Sequence, residues 1–282
     1  MTKNLSRRGV LKTGAIAGAG VALPTIFTAS SAAAYTNEPT GSTVTLGFDV
    51  PQTGPYAEEG LDELRAQELA VQHLNGEGDG GMLKTMKPMH LKGNGILGKK
   101  VEFVTGDTQT KSDAARASAK RMIEKDKVIM FSGGSSSGVA IAVQGLAQEM
   151  GVIFMAGLTH SNDTTGKDKR RYGFRHFFNA YMSGKALAPI LANEYGKERR
   201  AFHLTADYTW GHTQYDSIKQ FTEAEGWTTV NNIMTPLKST DFSQYLTAAL
   251  NSDADVLVLN HYGKNMVNSL SQAVEFGMRD MQ

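Results

Sequence analysis

Residues 128–155, VIMFSGGSSSGVAIAVQGLAQEMGVIFM, carry one complete structural unit of the chain. Val128–Phe131 is a short apolar run of strand type. A Gly/Ser turn over residues 132–137 follows it. Gly138–Met150 has helical composition, and Val152–Met155 is a second apolar run. Strand, turn, helix and strand with connections of a few residues is the pattern of a parallel βαβ unit, because a parallel partner strand needs a helical crossover.

The same rhythm extends both ways. Upstream, Thr43–Phe48 and Lys100–Thr105 read as strands, with helices over Leu61–Leu74 and Asp113–Lys125; Leu61, Leu64, Leu69 and Leu74 supply the apolar positions of the first helix. Downstream, helices over Ser183–Tyr195, Thr213–Glu225, Asp241–Asn251 and Asn265–Phe276 alternate with strands over Arg200–Leu204, Thr228–Met234 and Val256–Asn260. The aromatic stretch Tyr172–Phe178 separates the two series and reads as the crossing between lobes. The fold class is α/β: two doubly wound parallel-sheet lobes joined by a hinge. Residues 43–178 form the N-terminal lobe and 179–282 the second. Residues 76–95, with six Gly, three Lys and three Met, form a surface insertion or a lid.

The first 34 residues read as an export peptide. Arg7 and Arg8 precede a mildly apolar run, and Ala32–Ala34 supply small residues for cleavage before Tyr35. The paired arginines resemble the twin-arginine signal, and residues 35–42 read as a linker. Removing Lys3, Arg7, Arg8 and Lys12 from the 29 Lys+Arg leaves 25 against 28 Asp+Glu, a formal charge of −3. That balance lacks the basic face of a nucleic-acid binder. The chain has no cysteine, so disulfides, thiol catalysis, thiolate metal sites and N-terminal cysteine acylation are excluded. The location expected is the periplasm, with the mature form soluble and not lipid-anchored.

Several motifs stand where chemistry is possible. Gly93, Gly95 and Gly98 match the dinucleotide fingerprint in letters, but a loop precedes them and a strand follows, so no phosphate site is expected. The turn holding Ser135, Ser136 and Ser137 places hydroxyls beside the free amides of a helix N-terminus, a cradle for a carboxylate or carbonyl group. Gly134, Ser136 and Gly138 also satisfy the nucleophile-elbow pattern, with Asp207 and His261 downstream in hydrolase order. Polar and aromatic groups recur after later strands: Leu158, Thr159 and His160; Asp207 to Gly211, with Trp210; and Asn260 to Tyr262. Ligands bind at such strand ends in open α/β sheets. The seven His are scattered without metal-ligand spacing, so neither metal nor cofactor is expected; His203 reads as structural or solvent-facing.

Thr53–Pro55, Gly95–Phe103, Gly106-Asp107, Gly133–Gly138, Asp207–Gly211, Thr240–Phe242 and Ala254–Val256, in this order and spacing, resemble the type I periplasmic substrate-binding proteins of ABC importers, in the branched-chain amino acid and amide/urea group. The resemblance runs from about Thr43 to the end. It implies a non-enzymatic, monomeric receptor that closes on a small polar solute, an amino acid, amide, urea or carboxylate-like compound, and docks on membrane permease subunits. It assigns Ser135 to the family hydroxyl that holds the ligand carboxylate. It further assigns Leu158, Thr159 and His160 to the loop after the fourth strand, and Trp210 and Tyr262 to second-lobe tyrosine positions. Glu59 falls at a family tyrosine, with Tyr56 close by, and is placed to accept from an amine or amide. It also implies about a hundred further residues, so the C-terminal lobe is expected to be incomplete. The alternative is an exported serine hydrolase using Ser136, Asp207 and His261.

Overall fold

β1 (Thr43–Val50) lies inside a parallel sheet between β2 (Lys100–Asp107) and β3 (Met130–Gly133). Its side chains alternate between two buried faces. Val44, Leu46 and Phe48 pack with Val71 of α1 (Ala57–Leu74). On the other face Gly47 and Asp49 meet α2 (Ser112–Glu124), where a Cβ on Gly47 would lie 3.1 Å from the Met122 sulfur. Burial on both faces is what a parallel sheet with crossover helices requires. The computed structural model describes residues 36–77 and 95–278. The export-peptide reading and most of the 76–95 insertion fall outside the described residues.

α3 (Ser137–Met150) leads from β3 to β4 (Ile153–Ala156), and β5 (Gly173–Arg175) closes the edge of a sheet ordered β2-β1-β3-β4-β5. Phe131, Val139, Val143 and Phe154 anchor the second core on this sheet. α3 ends at Gly151, whose φ of 65° suits a left-handed helix stop. The strand expected over Val128–Phe131 runs two residues later: Val128 is buried below the ladder, and Ser132 and Gly133 complete the pairing with β1. Part of the aromatic crossing stretch is the short strand β5, bonded to β4.

The second series builds a parallel sheet ordered β7-β6-β8 from β6 (Arg200–Ala206), β7 (Thr228–Thr235) and β8 (Val256–Asn260). α4 (Ala180–Tyr195) and α5 (Thr209–Ala224) pack together on one side. They approach closely at Gly184, where a Cβ would stand 2.9 Å from the Ser217 backbone. α6 (Ser243–Leu250) and α7 (Gly263–Glu275) cover the other side, with Phe202, Leu204, Phe242 and Leu246 in the core. α4 begins three residues before the expected start, capped by the Asn179 side chain, which accepts from the Met182 amide at 3.0 Å.

Two local pins tie the first lobe together. Asn75, after α1, bonds the Val101 amide (2.8 Å) and carbonyl (2.9 Å), holding the base of the insertion against β2. Within the segment read as a linker, Asn37 is buried and donates to the carbonyls of Ile123 (3.1 Å) and Val128 (2.9 Å).

Candidate functional site

The C-terminal ends of β3, β4, β6 and β8 converge on one cavity of about 330 Å³. The first lobe contributes Ser135, Ser137, Leu158 and His160. The second contributes Tyr208, Trp210, Asn260, His261 and Tyr262. Each group reaches the cavity because its strand ends there and the chain turns into a loop or helix, the arrangement that places ligands at strand ends in α/β sheets. The turn after β3 continues the ladder, with the Gly134 amide on the Asp49 carbonyl at 3.1 Å, before Ser136 caps α3. Tyr208 and Tyr262 hold the same N-cap positions on α5 and α7. The aromatic rings are in contact: Tyr208 with Trp210 at 5.9 Å and Trp210 with Tyr262 at 6.3 Å.

Five of the residues expected from sequence line this cavity: Ser135, Leu158, His160, Trp210 and Tyr262. Four stand behind or beside its wall. Ser136 is the buried N-cap residue of α3. Thr159 is fully buried, its hydroxyl donating to the Gly134 carbonyl. Tyr56 is buried behind the aromatic wall; its hydroxyl donates to that of Tyr208 at 3.0 Å, and its ring meets Tyr262 edge-on at 5.5 Å. The Glu59 carboxylate lies over the start of α7, so close that a Cβ on Gly263 would stand 1.8 Å from Oε1. Tyr56 and Glu59 therefore join the two lobes.

The residue that sequence reasoning missed is Glu63. It is buried on α1, and its Oε2 accepts the Ser135 hydroxyl at 2.6 Å. The Leu158 amide also donates to it. Burial pushes its pKa up, opposed by those two bonds. The expected apolar stripe of α1 is corrected at two of its four positions: Leu64 and Leu74 pack against the core, but Leu61 and Leu69 are exposed, while Gly60, Glu63 and Val71 face inward. The sheet chooses the inward face of the helix, and leucines on both sides of it marked that face only in part. An acidic residue in register with Gly60, Gln67 and Val71 was the available signal.

The cavity imidazoles are neutral. Burial pushes His261 down to about 4. Burial also lowers His160, against the carbonyl of Phe178, and Arg175 adds to the lowering. Tyr262 is pushed up to about 12 by burial and by the carboxylates of Glu59, Glu63 and Asp62. His203 is buried rather than solvent-facing, its Nδ1 accepting from Asn260 at 3.3 Å.

The hydrolase constellation is not assembled. Both ring nitrogens of His261 are occupied, Nε2 by the Thr235 hydroxyl (2.9 Å) and Nδ1 by the Ser269 hydroxyl (2.8 Å). Asp207 pairs with Nε2 of His212 at 2.8 Å. A nucleophile, base and orienting group must share hydrogen bonds, and these three do not. Among the described residues no cluster of His, Asp or Glu is arranged to hold a metal ion.

Two parallel α/β sheets meeting at a cavity walled by both define a two-lobed binding protein. The sequence profile of the periplasmic binding protein family matches residues 43–282, and the chain belongs to that family. It is 24% identical over 248 residues to Leu/Ile/Val-binding protein homolog 7 of Brucella abortus, covering 86% of this chain and 58% of the relative. It is 26% identical over 231 residues to Leu/Ile/Val-binding protein BraC3 of Rhizobium johnstonii, covering 78% and 54%. The chain thus spans little more than half the length of these curated relatives. Among solved structures it resembles a periplasmic binding protein of Burkholderia mallei (25% identity, TM-score 0.72, covering 86% of this chain and 59% of that one). It also shares its fold with the branched-chain amino acid binding protein LivJ of Streptococcus pneumoniae in complex with isoleucine (20%, TM-score 0.71, 84% and 62%). A solute-binding protein of R. palustris in complex with 4-hydroxybenzoate has the same fold (23%, TM-score 0.70, 84% and 59%).

Proposed function

We propose that this chain is the solute receptor of an ABC importer, working in the periplasm and passing a small polar solute to membrane permease subunits. The observation that carries the reading is the cavity itself, of a size for a small solute and walled by Ser135, Leu158 and His160 from one lobe and by Trp210 and Tyr262 from the other. A solute touching both walls favours the closed arrangement over the open one by its contacts to the second lobe. Tyr56 and Glu59 bridge the same cleft and help define the closed geometry. The receptor acts as a monomer, without cofactor and without catalysis. Membership of the periplasmic binding protein family and the Leu/Ile/Val-binding relatives support this reading.

A thermal-shift screen of the purified protein against amino acids, short amides, urea and small carboxylates tests it. A ligand of the folded state raises the melting temperature by mass action, so a saturable rise without turnover is expected. The reading falls if no solute of these classes shifts the transition, or if one is turned over.

A further inference from the structure

We propose that Glu63 sets the class of solute: it takes the only proton of Ser135 and turns the first-lobe end of the cavity into an acceptor, which selects an uncharged head group bringing its own N–H donors, a primary amide or urea-type group, over a carboxylate. This rests on the receptor reading above.

A serine hydroxyl has one proton and two lone pairs. The Ser135 proton goes to Glu63 Oε2 at 2.6 Å, and the Leu158 amide and the Gln67 side-chain amide (3.5 Å, to Oε1) also point at this carboxylate. Burial raises the pKa of this carboxyl and the Ser135 and Leu158 bonds oppose the rise; in this geometry Oε2 is the acceptor and the serine is the donor. Ser135 therefore shows the cavity lone pairs only. His160 behaves likewise. Its Nδ1 faces the Phe178 carbonyl at 3.0 Å and must donate to it, which leaves Nε2 with the lone pair. Asn260 has two amide protons and spends both, on His203 (3.3 Å) and Thr205 (3.0 Å), so it retains its carbonyl oxygen.

Charge points the same way. Among the described residues no Lys or Arg lines the cavity, and its imidazoles are neutral. A solute carboxylate would find no cationic side chain there, only the free amides at the start of α3, and would meet the lone pairs of Ser135. An amide head finds acceptors for its N–H groups at Ser135, His160 and Asn260. Its carbonyl oxygen meets the Ser137 hydroxyl, which accepts from the Ser161 amide at 3.2 Å and keeps its own proton.

The test is calorimetric titration at neutral pH with matched pairs, 3-methylbutanamide against 3-methylbutanoate and benzamide against benzoate. The native protein is expected to favour each amide by at least about tenfold, the scale of one mismatched buried hydrogen bond. In Glu63→Gln the new side-chain amide donates to Ser135 and releases its proton outward, so the preference should collapse or reverse. Ser135→Ala, which leaves Glu63 in place, should weaken amide binding without improving carboxylate binding. Carboxylates binding as well as amides, or an unchanged ratio in Glu63→Gln, overturns the proposal while the receptor reading stands. If no member of either pair binds and the wider solute screen is also silent, the receptor reading falls and this inference with it.

Discussion

Asp49 should make the protein more stable as the pH falls from 8 to 5, and Asp49→Asn should abolish that gain. The carboxyl sits on the α2 side of β1, only 1% exposed. Ser118 donates to Oδ1, while Oδ2 has no partner among the described residues. Burial, the dominant influence, pushes the pKa up from 3.8 to about 7; the Ser118 hydroxyl and the Arg121 charge pull it down, and Asp107 pushes it further up. Because the folded value lies above the unfolded one, the folded state holds the proton more tightly. The stabilisation is complete below the unfolded pKa and is lost as pH rises through the folded one. A gap of about three units corresponds to about 4 kcal/mol in total, of which roughly 2–3 kcal/mol appears between pH 8 and pH 5. Asparagine has the same shape and no charge to desolvate, but leaves an amide short of a partner at about 1–3 kcal/mol. The variant should therefore be more stable than the native protein at pH 8 by about 1–3 kcal/mol, and should lose this advantage by pH 5. Urea unfolding followed by circular dichroism at both pH values, reported as variant minus native, isolates this group. A difference that stays flat with pH, or a variant less stable at pH 8, refutes the reasoning.

Three further outcomes are expected. Trp210→Ala removes an aromatic anchor from the cavity wall and should weaken solute binding about tenfold or more by calorimetry; unchanged affinity removes Trp210 from the site. Gly211→Ala would put a Cβ 1.9 Å from the Ala206 carbonyl, so its melting temperature should drop by an amount equivalent to at least about 2 kcal/mol. Asn37→Ala strips donors from the buried carbonyls of Ile123 and Val128 and should cost about 1–3 kcal/mol in urea unfolding; a change within the scatter of ordinary surface substitutions would show that the pin is dispensable.

The architecture was legible because it is written locally. Apolar runs of strand length, helices of ten or more residues and short Gly/Ser turns recur in order, and a parallel sheet is the arrangement that buries such strands on both faces. The positions of Ser135, Leu158, His160, Trp210 and Tyr262 at the cavity follow from the same logic, since each comes just after a strand. Tyr56 and Thr159 stand close to these in sequence, yet both are buried behind the wall. Spacing along a loop does not say which side chain turns inward.

The order of elements, the resemblance to the family and the strand ends that wall the cavity could be read from the chain alone. The chemistry of that cavity comes from how the elements pack. α1 turns Glu63 toward Ser135 and leaves Leu61 and Leu69 outside, because packing on the sheet, rather than the helix's own periodicity, selects the buried face. His261 is held by Thr235 from β7 and by Ser269 from within α7, which removes it from any partnership with Ser136. A hydroxyl read alone offers both a donor and an acceptor; which of them a solute meets depends on the neighbour that has already taken the proton.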